Sequence, residues 1–223
     1  MGAINLDMET SNYKGIPAMS PPEVHQYLNE LGRGWTGQGV AMEVGCWLGA
    51  TSVALLEGLV EAGYNRPFWA FDRWSANGAE VIKASNQKVP LLMGQDLKPV
   101  YEKNVSPTYA KLKMVKGAIP NTFRVYTRNP IEFCLFDAPK CNPVFRDATK
   151  FVVPYFIPGV TVFGLMDYYF YKRKQEQQHA DWKKFLAPVH FIEKYSDHFT
   201  LLREFSGFGM SAFFRYEKEI SWE

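Results

Sequence analysis

Val40 to Ser52 reads VAMEVGCWLGATS, and Phe68 to Trp74 reads FWAFDRW. In the first stretch an apolar run ends in an acid, Glu43. Glycines follow at Gly45 and Gly49, and a helical pattern opens at Ala50. In the second stretch an apolar run ends in another acid, Asp72. This order builds strand, glycine turn, helix and strand, the unit that holds an adenosine-bearing cofactor at the carboxyl ends of parallel strands. The glycines let backbone approach a ligand closely. The acid at the end of the second strand can accept hydrogen bonds from ribose hydroxyls.

The form of the turn narrows the cofactor. A dinucleotide fingerprint reads GxGxxG, whereas here the spacing is ExGxxxG, with Trp47 where a middle glycine would stand. A bulky indole obstructs a pyrophosphate pressed onto the helix start. It tolerates a cofactor without phosphates, and its face attracts a cation. S-adenosylmethionine (SAM) combines an adenosine, no phosphate and a sulfonium. The competing reading of the turn alone is a plain buried βαβ connection.

Around this unit the composition sets bounds. The 223 residues suit one large domain, or one domain with an N-terminal extension, and 47% hydrophobic and 16% aromatic content suffice for a sizeable core. A formal charge of +2 gives no overall field toward nucleic acid or an anionic membrane. No apolar run approaches the ~20 residues of a membrane span. The stretch MGAINLDMETSNYKG has no apolar signal core, and Leu6 does not fit a myristoylation site. Cys46, Cys134 and Cys141 show no metal-ligand pairing. They read as reduced thiols of a cytoplasmic protein. Lys172 to Lys174 read as the solvated start of a helix rather than a phosphate site.

Residues 1–19 are expected to be a flexible arm and 20–223 the functional domain. Ser20-Pro21-Pro22-Glu23 has the form of a capping box, starting a helix that Gly32 stops. Strands are expected near 40–45, 68–72, 112–118, 131–137 and 160–167. Helices are expected near 50–62, through LKPVYEKNV, through FRDATKFVVPYF and near 171–186, ending before Pro188. Segment 75–96 is polar with weak helical periodicity, and its position after the second of these strands makes it the expected substrate-covering lid. VHFIEKYS, FTLLREF and MSAFFRYEK read as β-rich, with a turn at Gly207-Phe208-Gly209. The expected fold is α/β: a doubly wound, mostly parallel Rossmann-like sheet with a C-terminal antiparallel hairpin at one edge.

From Ser20 to Leu186 the order of motifs resembles class I SAM-dependent methyltransferases, and more narrowly the macrocin O-methyltransferase (TylF-like) group. EVGCWLGATS is similar to that group's first glycine motif. VYEKNVSPTYAKLKMVKGAIPNTF is similar to its helix, strand and G-x-x-x-x-T turn, with Gly117 and Thr122 in place. FCLFDAP resembles its LDAD motif, IPGVTVFGLMDYY its PGG…DDY strand, and DWKKFLAP the helix that follows. Two positions depart. Pro139 stands for the second acid of LDAD, and the DDY pair is reduced to Asp167-Tyr168-Tyr169.

The resemblance implies that Glu43 meets the methionine amino group or its shell, that Gly45, Trp47 and Gly49 lie against the cofactor, and that Gly117 and Ala118 leave room for adenine. Thr51 and Ser52 at the helix start could take the cofactor carboxylate. Asp72 is the expected ribose ligand, followed by Arg73 and by Trp74 as an adenine stack or pocket wall. Asp137 faces the reacting centre and Asp167 stands on the neighbouring strand end. The pair could serve as base and second base, or as ligands of Mg²⁺. His179, His190 and His198 are weaker base candidates, and His190 reads as a core residue on a strand. The aromatic run Tyr168 to Tyr171 either walls a substrate pocket or packs a helix onto the sheet. The implied activity is SAM-dependent O-methylation of a small metabolite, a sugar, glycoside or phenol, by a possible homodimer. Its rivals are a catalytically lapsed SAM-binding module and an NAD(P)-dependent oxidoreductase.

Overall fold

The computed structural model describes residues 11–205 and 210–222. It is built on one seven-stranded sheet. The chain first makes a hairpin of β1 (Ser11–Tyr13) and β2 (Ile16–Ala18), then α1 (Pro22–Arg33), β3 (Val40–Val44), α2 (Ala50–Glu61) and β4 (Phe68–Asp72). Next come α3 (Gly78–Asn86), α4 (Lys98–Val105), β5 (Leu112–Lys116), β6 (Ile131–Phe136), α5 (Val144–Val152) and β7 (Val162–Leu165). The chain closes with α6 (Phe170–Glu176), α7 (Ala187–Lys194), β8 (Phe199–Phe205) and β9 (Ser211–Tyr216).

The sheet order is β5-β4-β3-β6-β7-β9-β8. The five strands from β5 to β7 are parallel, while β9 runs antiparallel to both β7 and β8. The chain leaves β3 toward the β5 edge and then returns to lay β6 on the other side of β3. The carboxyl ends of β3 and β6 therefore flank the switch point where such sheets bind ligands. β3 and β6 are buried along their whole length because both faces are covered, which is why they read as unbroken apolar runs. One core joins α1, α2, α4 and the hairpin to the sheet; the other joins α5, α7 and Phe123. Among the described residues no helix is long and apolar enough to cross a membrane.

Several expectations are corrected. Residues 11–18 are a built hairpin rather than a loose arm: Ile16 and Ala18 are buried, and the Tyr13 hydroxyl donates to Glu57 at 2.6 Å. Residues 1–10 of the expected arm, and the turn at Gly207-Phe208-Gly209, lie outside the described residues. Ser20 does not cap α1; its hydroxyl is 2.9 Å from His25 Nε2, and Pro21 is the cap residue. Gly32 does not stop α1, which runs to Arg33. A Cβ at Gly32 would stand 2.4 Å from the Leu55 carbonyl oxygen, so the glycine serves the close crossing on α2. Segment 75–96 holds a full helix, α3, with a capping box formed by Asn77 and Glu80.

The helix expected over 171–186 ends at Glu176, and a 3-10 turn covers Trp182–Leu186. VHFIEKYS lies in α7 and the turn after it, not in a strand. Pro188 occupies the first turn of α7, where its missing N–H costs nothing, and Val189 and Ile192 bury one helical face. His190, expected in the core, is exposed on that helix.

Candidate active site

The switch point opens into a cavity of about 600 Å³. Of the residues expected there, Gly45, Trp47, Asp72, Arg73, Gly117 and Ala118 line it, as do Asp137 and Asp167. Segment 75–96 contributes through α3, and the residues before α1 through Met19 and Ser20. Phe170 is the member of the aromatic run on the cavity wall; Tyr168 packs into the core against Phe214 instead.

Asp72 holds the glycine turn in place. One carboxylate oxygen accepts from the Cys46 N–H at 2.7 Å and the Trp47 N–H at 3.0 Å; the other accepts from the Trp74 N–H at 2.5 Å. The oxygen bonded to Trp74 keeps a lone pair for a ligand. Gly45 has a φ of +93°, and a Cβ there would come within 2.6 Å of the Ala138 amide nitrogen. This glycine lets the turns after β3 and β6 touch, which narrows the floor between Asp72 and Asp137. Gly117 has a φ of +146°, and a Cβ there would press on Thr122.

Five residues expected at the cofactor stand behind the wall. Gly49 has a φ of +96°, but a Cβ there would strike Val105 at 2.5 Å, so it accommodates α4 and not a ligand. Glu43 is fully buried, and its carboxylate accepts from the hydroxyls of Thr51, at 2.5 Å, and Ser52. Ser52 also meets the Tyr101 hydroxyl at 3.0 Å. Glu43, Thr51 and Ser52 satisfy one another, and none of them lines the cavity. Burial raises Glu43 to about 7 against the lowering effect of the two hydroxyls, and Asp137 and Asp72 add repulsion. Trp74 is likewise buried against Tyr101, and its indole N–H donates to the Trp47 carbonyl at 3.2 Å, so it neither stacks nor lines.

Sequence reasoning missed Lys140. It follows β6, three residues after Asp137, and its ammonium is bonded to Asp167 and lies 3.7 Å from Asp137. Both carboxylates keep part of their surface open, 32% for Asp137 and 23% for Asp167. Burial and the neighbouring Asp167 push Asp137 above the usual carboxylate range, and Lys140 counteracts them. Burial opposes the Lys140 charge, but Asp167 and then Asp137 more than offset it, so the ammonium is held firmly protonated. The point between the acids, expected to hold Mg²⁺, is taken by this cation. Among the described residues no cluster of three His, Cys, Asp or Glu side chains exists to hold a metal ion. Two carboxylates already paired to an ammonium are a poor donor set for Mg²⁺, which asks for several oxygen ligands in octahedral order. The residues do not fit the metal.

No family model and no curated protein matches the chain. Solved structures do. The chain is similar to the O-methyltransferase NovP, with a TM-score of 0.57 and 12% identity over 88% of this chain and 78% of that one. It is similar to CalS11, a TDP-rhamnose 3'-O-methyltransferase of calicheamicin biosynthesis, with a TM-score of 0.53 and 18% identity over 87% and 77%. It is also similar to an O-methyltransferase from Bacillus cereus in complex with SAH, with a TM-score of 0.59 and 16% identity over 89% and 82%. The chain thus has the Rossmann-like methyltransferase fold, as its sheet order and strand directions require.

Proposed function

We propose that the protein is a SAM-dependent methyltransferase acting on a hydroxyl of a small metabolite, a sugar, glycoside or phenol. The observation that carries this reading is the convergence of Asp72, Gly45, Gly117 and Asp137 on one cavity at the switch point. Asp72, the acid ending the second parallel strand of the unit, sits where a ribose would be held, and small residues at Gly117 and Ala118 leave room for an adenine. A cavity of about 600 Å³ suits a cofactor and a small acceptor. The fold shared with O-methyltransferases, one of them acting on a nucleotide-linked sugar, supports the same reading.

When bound, SAM supplies an electrophilic methyl on a sulfonium. Transfer of that methyl to a hydroxyl would require the hydroxyl proton to leave. Asp137, raised above the ordinary carboxylate range and open to the cavity, takes that proton. Lys140 keeps Asp137 and Asp167 from repelling each other and places positive charge where alkoxide character develops. Alignment and a ready proton acceptor are the main demands of such a transfer.

A thermal-shift screen of S-adenosylhomocysteine (SAH), NAD and NADP tests the reading: a rise in melting temperature with SAH alone is expected. Stabilisation by NAD or NADP instead would move the chain to the oxidoreductases. The lapsed-module reading draws on Lys140 filling the space between the acids; methyl transfer from labelled SAM to any acceptor removes it.

A further inference from the structure

The charges of the cavity match in number, four acids to four cations, but not in pairing. Four acids line it, and each is spoken for. Asp72 accepts three backbone N–H groups, Glu80 closes the capping box with Asn77, and Asp137 and Asp167 share Lys140. Three lining cations, Arg73, Lys83 and Arg173, have no carboxylate at ion-pair distance among the described residues, and the last two lie in each other's field. Lys83, half-buried on α3, makes its hydrogen bond to the thioether of Met19 at 2.9 Å. A thioether is a weak acceptor, and an ammonium has three donors to satisfy. The guanidinium of Arg173, on α6, makes no hydrogen bond or ion pair among the described residues. Lys83 also senses Lys140 and Arg173 as like charges and Asp137 and Asp167 as opposite ones. Around Lys83 there are thus three cations, counting Lys83 itself, and three anions, since Glu80 senses it as well, yet none of those anions forms an ion pair with it.

We propose that Lys83 and Arg173 form an anion subsite of the reaction cavity that takes a carboxylate or phosphate group of a bound small molecule. An anion placed there removes the repulsion between the two cations and gives each a charge-assisted hydrogen bond, with the planar guanidinium offering a bidentate fork. Segment 75–96 gains a specific role: α3 carries a charge into the cavity. Arg173 leaves the solvated role its sequence context gave it. Which molecule brings the anion rests on the SAM-dependent reading. One source is the amino-acid carboxylate of the cofactor, which lost its expected partners when Thr51 and Ser52 turned to Glu43. The other is an acidic group on the acceptor.

The test is calorimetry on the full chain and on its Lys83→Met, Lys83→Arg and Arg173→Met variants. The probes are SAH, 5'-methylthioadenosine, which lacks the amino acid, and inorganic phosphate added with and without SAH. If the anion is the cofactor's, Lys83→Met weakens SAH by about tenfold or more and leaves methylthioadenosine unchanged. If it is the acceptor's, SAH is unchanged, while phosphate binds the SAH-saturated wild type and not Lys83→Met. In either case Arg173→Met follows Lys83→Met and Lys83→Arg recovers binding. Equal losses for SAH and methylthioadenosine, or no effect on SAH together with no phosphate binding, overturn the subsite. Should the wild type bind neither nucleoside, the SAM reading fails. The subsite then stands or falls on phosphate binding that Lys83→Met abolishes.

Discussion

Lys140 donates its ammonium to the carboxylate of Asp167, joining the turns that follow two adjacent parallel strands, β6 and β7. A fixed cation thereby occupies the place between two acids where a mobile one was expected. We predict that methyl transfer, once an acceptor is in hand, survives exhaustive EDTA treatment undiminished. Loss of turnover with recovery on adding Mg²⁺ would return the metal to the site.

The same contact sets the pH response. Asp137 must be ionised to accept a proton, so kcat/KM should fall on the acid side, with its midpoint above the ordinary carboxylate value. Lys140→Met removes the cation that lowers Asp137, so the acid limb should move to higher pH. Asp137→Asn should cost about 10²-fold or more in kcat with SAH affinity little changed. A pH–rate profile unmoved by Lys140→Met would detach the lysine from the proton acceptor.

Asp72 has two jobs to lose. Asp72→Ala leaves three backbone N–H groups without their acceptor and removes the ribose partner. SAH affinity should weaken by about 1–3 kcal/mol, and the melting temperature without ligand should drop as well. A lower melting temperature with unchanged SAH affinity by calorimetry would make Asp72 a brace of the glycine turn only.

Glu43 titrates inside the core. Its ordinary value is 4.5 and its folded value about 7, so between these the folded state keeps a proton that the unfolded chain has released. Its contribution therefore falls as pH rises from about 4.5 to about 7. Glu43→Gln keeps a group that can bond Thr51 and Ser52 but does not titrate. Its stability relative to wild type should grow across that window by a few kcal/mol, at ~1.4 kcal/mol per unit. Burial lowers His25 to about 4, a contribution of opposite sign that cancels in the comparison. Chemical denaturation of both proteins at several pH values checks this, and a constant difference would mean that Glu43 is not protonated in the fold.

What the sequence by itself determined was local or periodic. The strands at Val40–Val44, Phe68–Asp72 and Ile131–Phe136 are apolar runs buried on both faces, and their order with intervening helices dictates a doubly wound sheet. The acids that end them, Asp72 and Asp137, were legible as cavity residues because strand ends converge at the switch point. Tertiary structure decided the rest. VHFIEKYS is a short apolar run whose period suits strand or helix, and its packing on the sheet chose α7. Glu43, Thr51 and Ser52 carried the chemistry of a ligand site but were close enough to satisfy each other. Lys140, Lys83 and Arg173 belong to a polar turn and two helices far apart in sequence. Lys83 and Arg173 meet the site only after the crossovers bring α3, β6 and α6 to one edge, and Lys140 meets Asp167 only when β6 and β7 lie side by side, so the chain's local pattern did not announce the cation that took the expected metal's place.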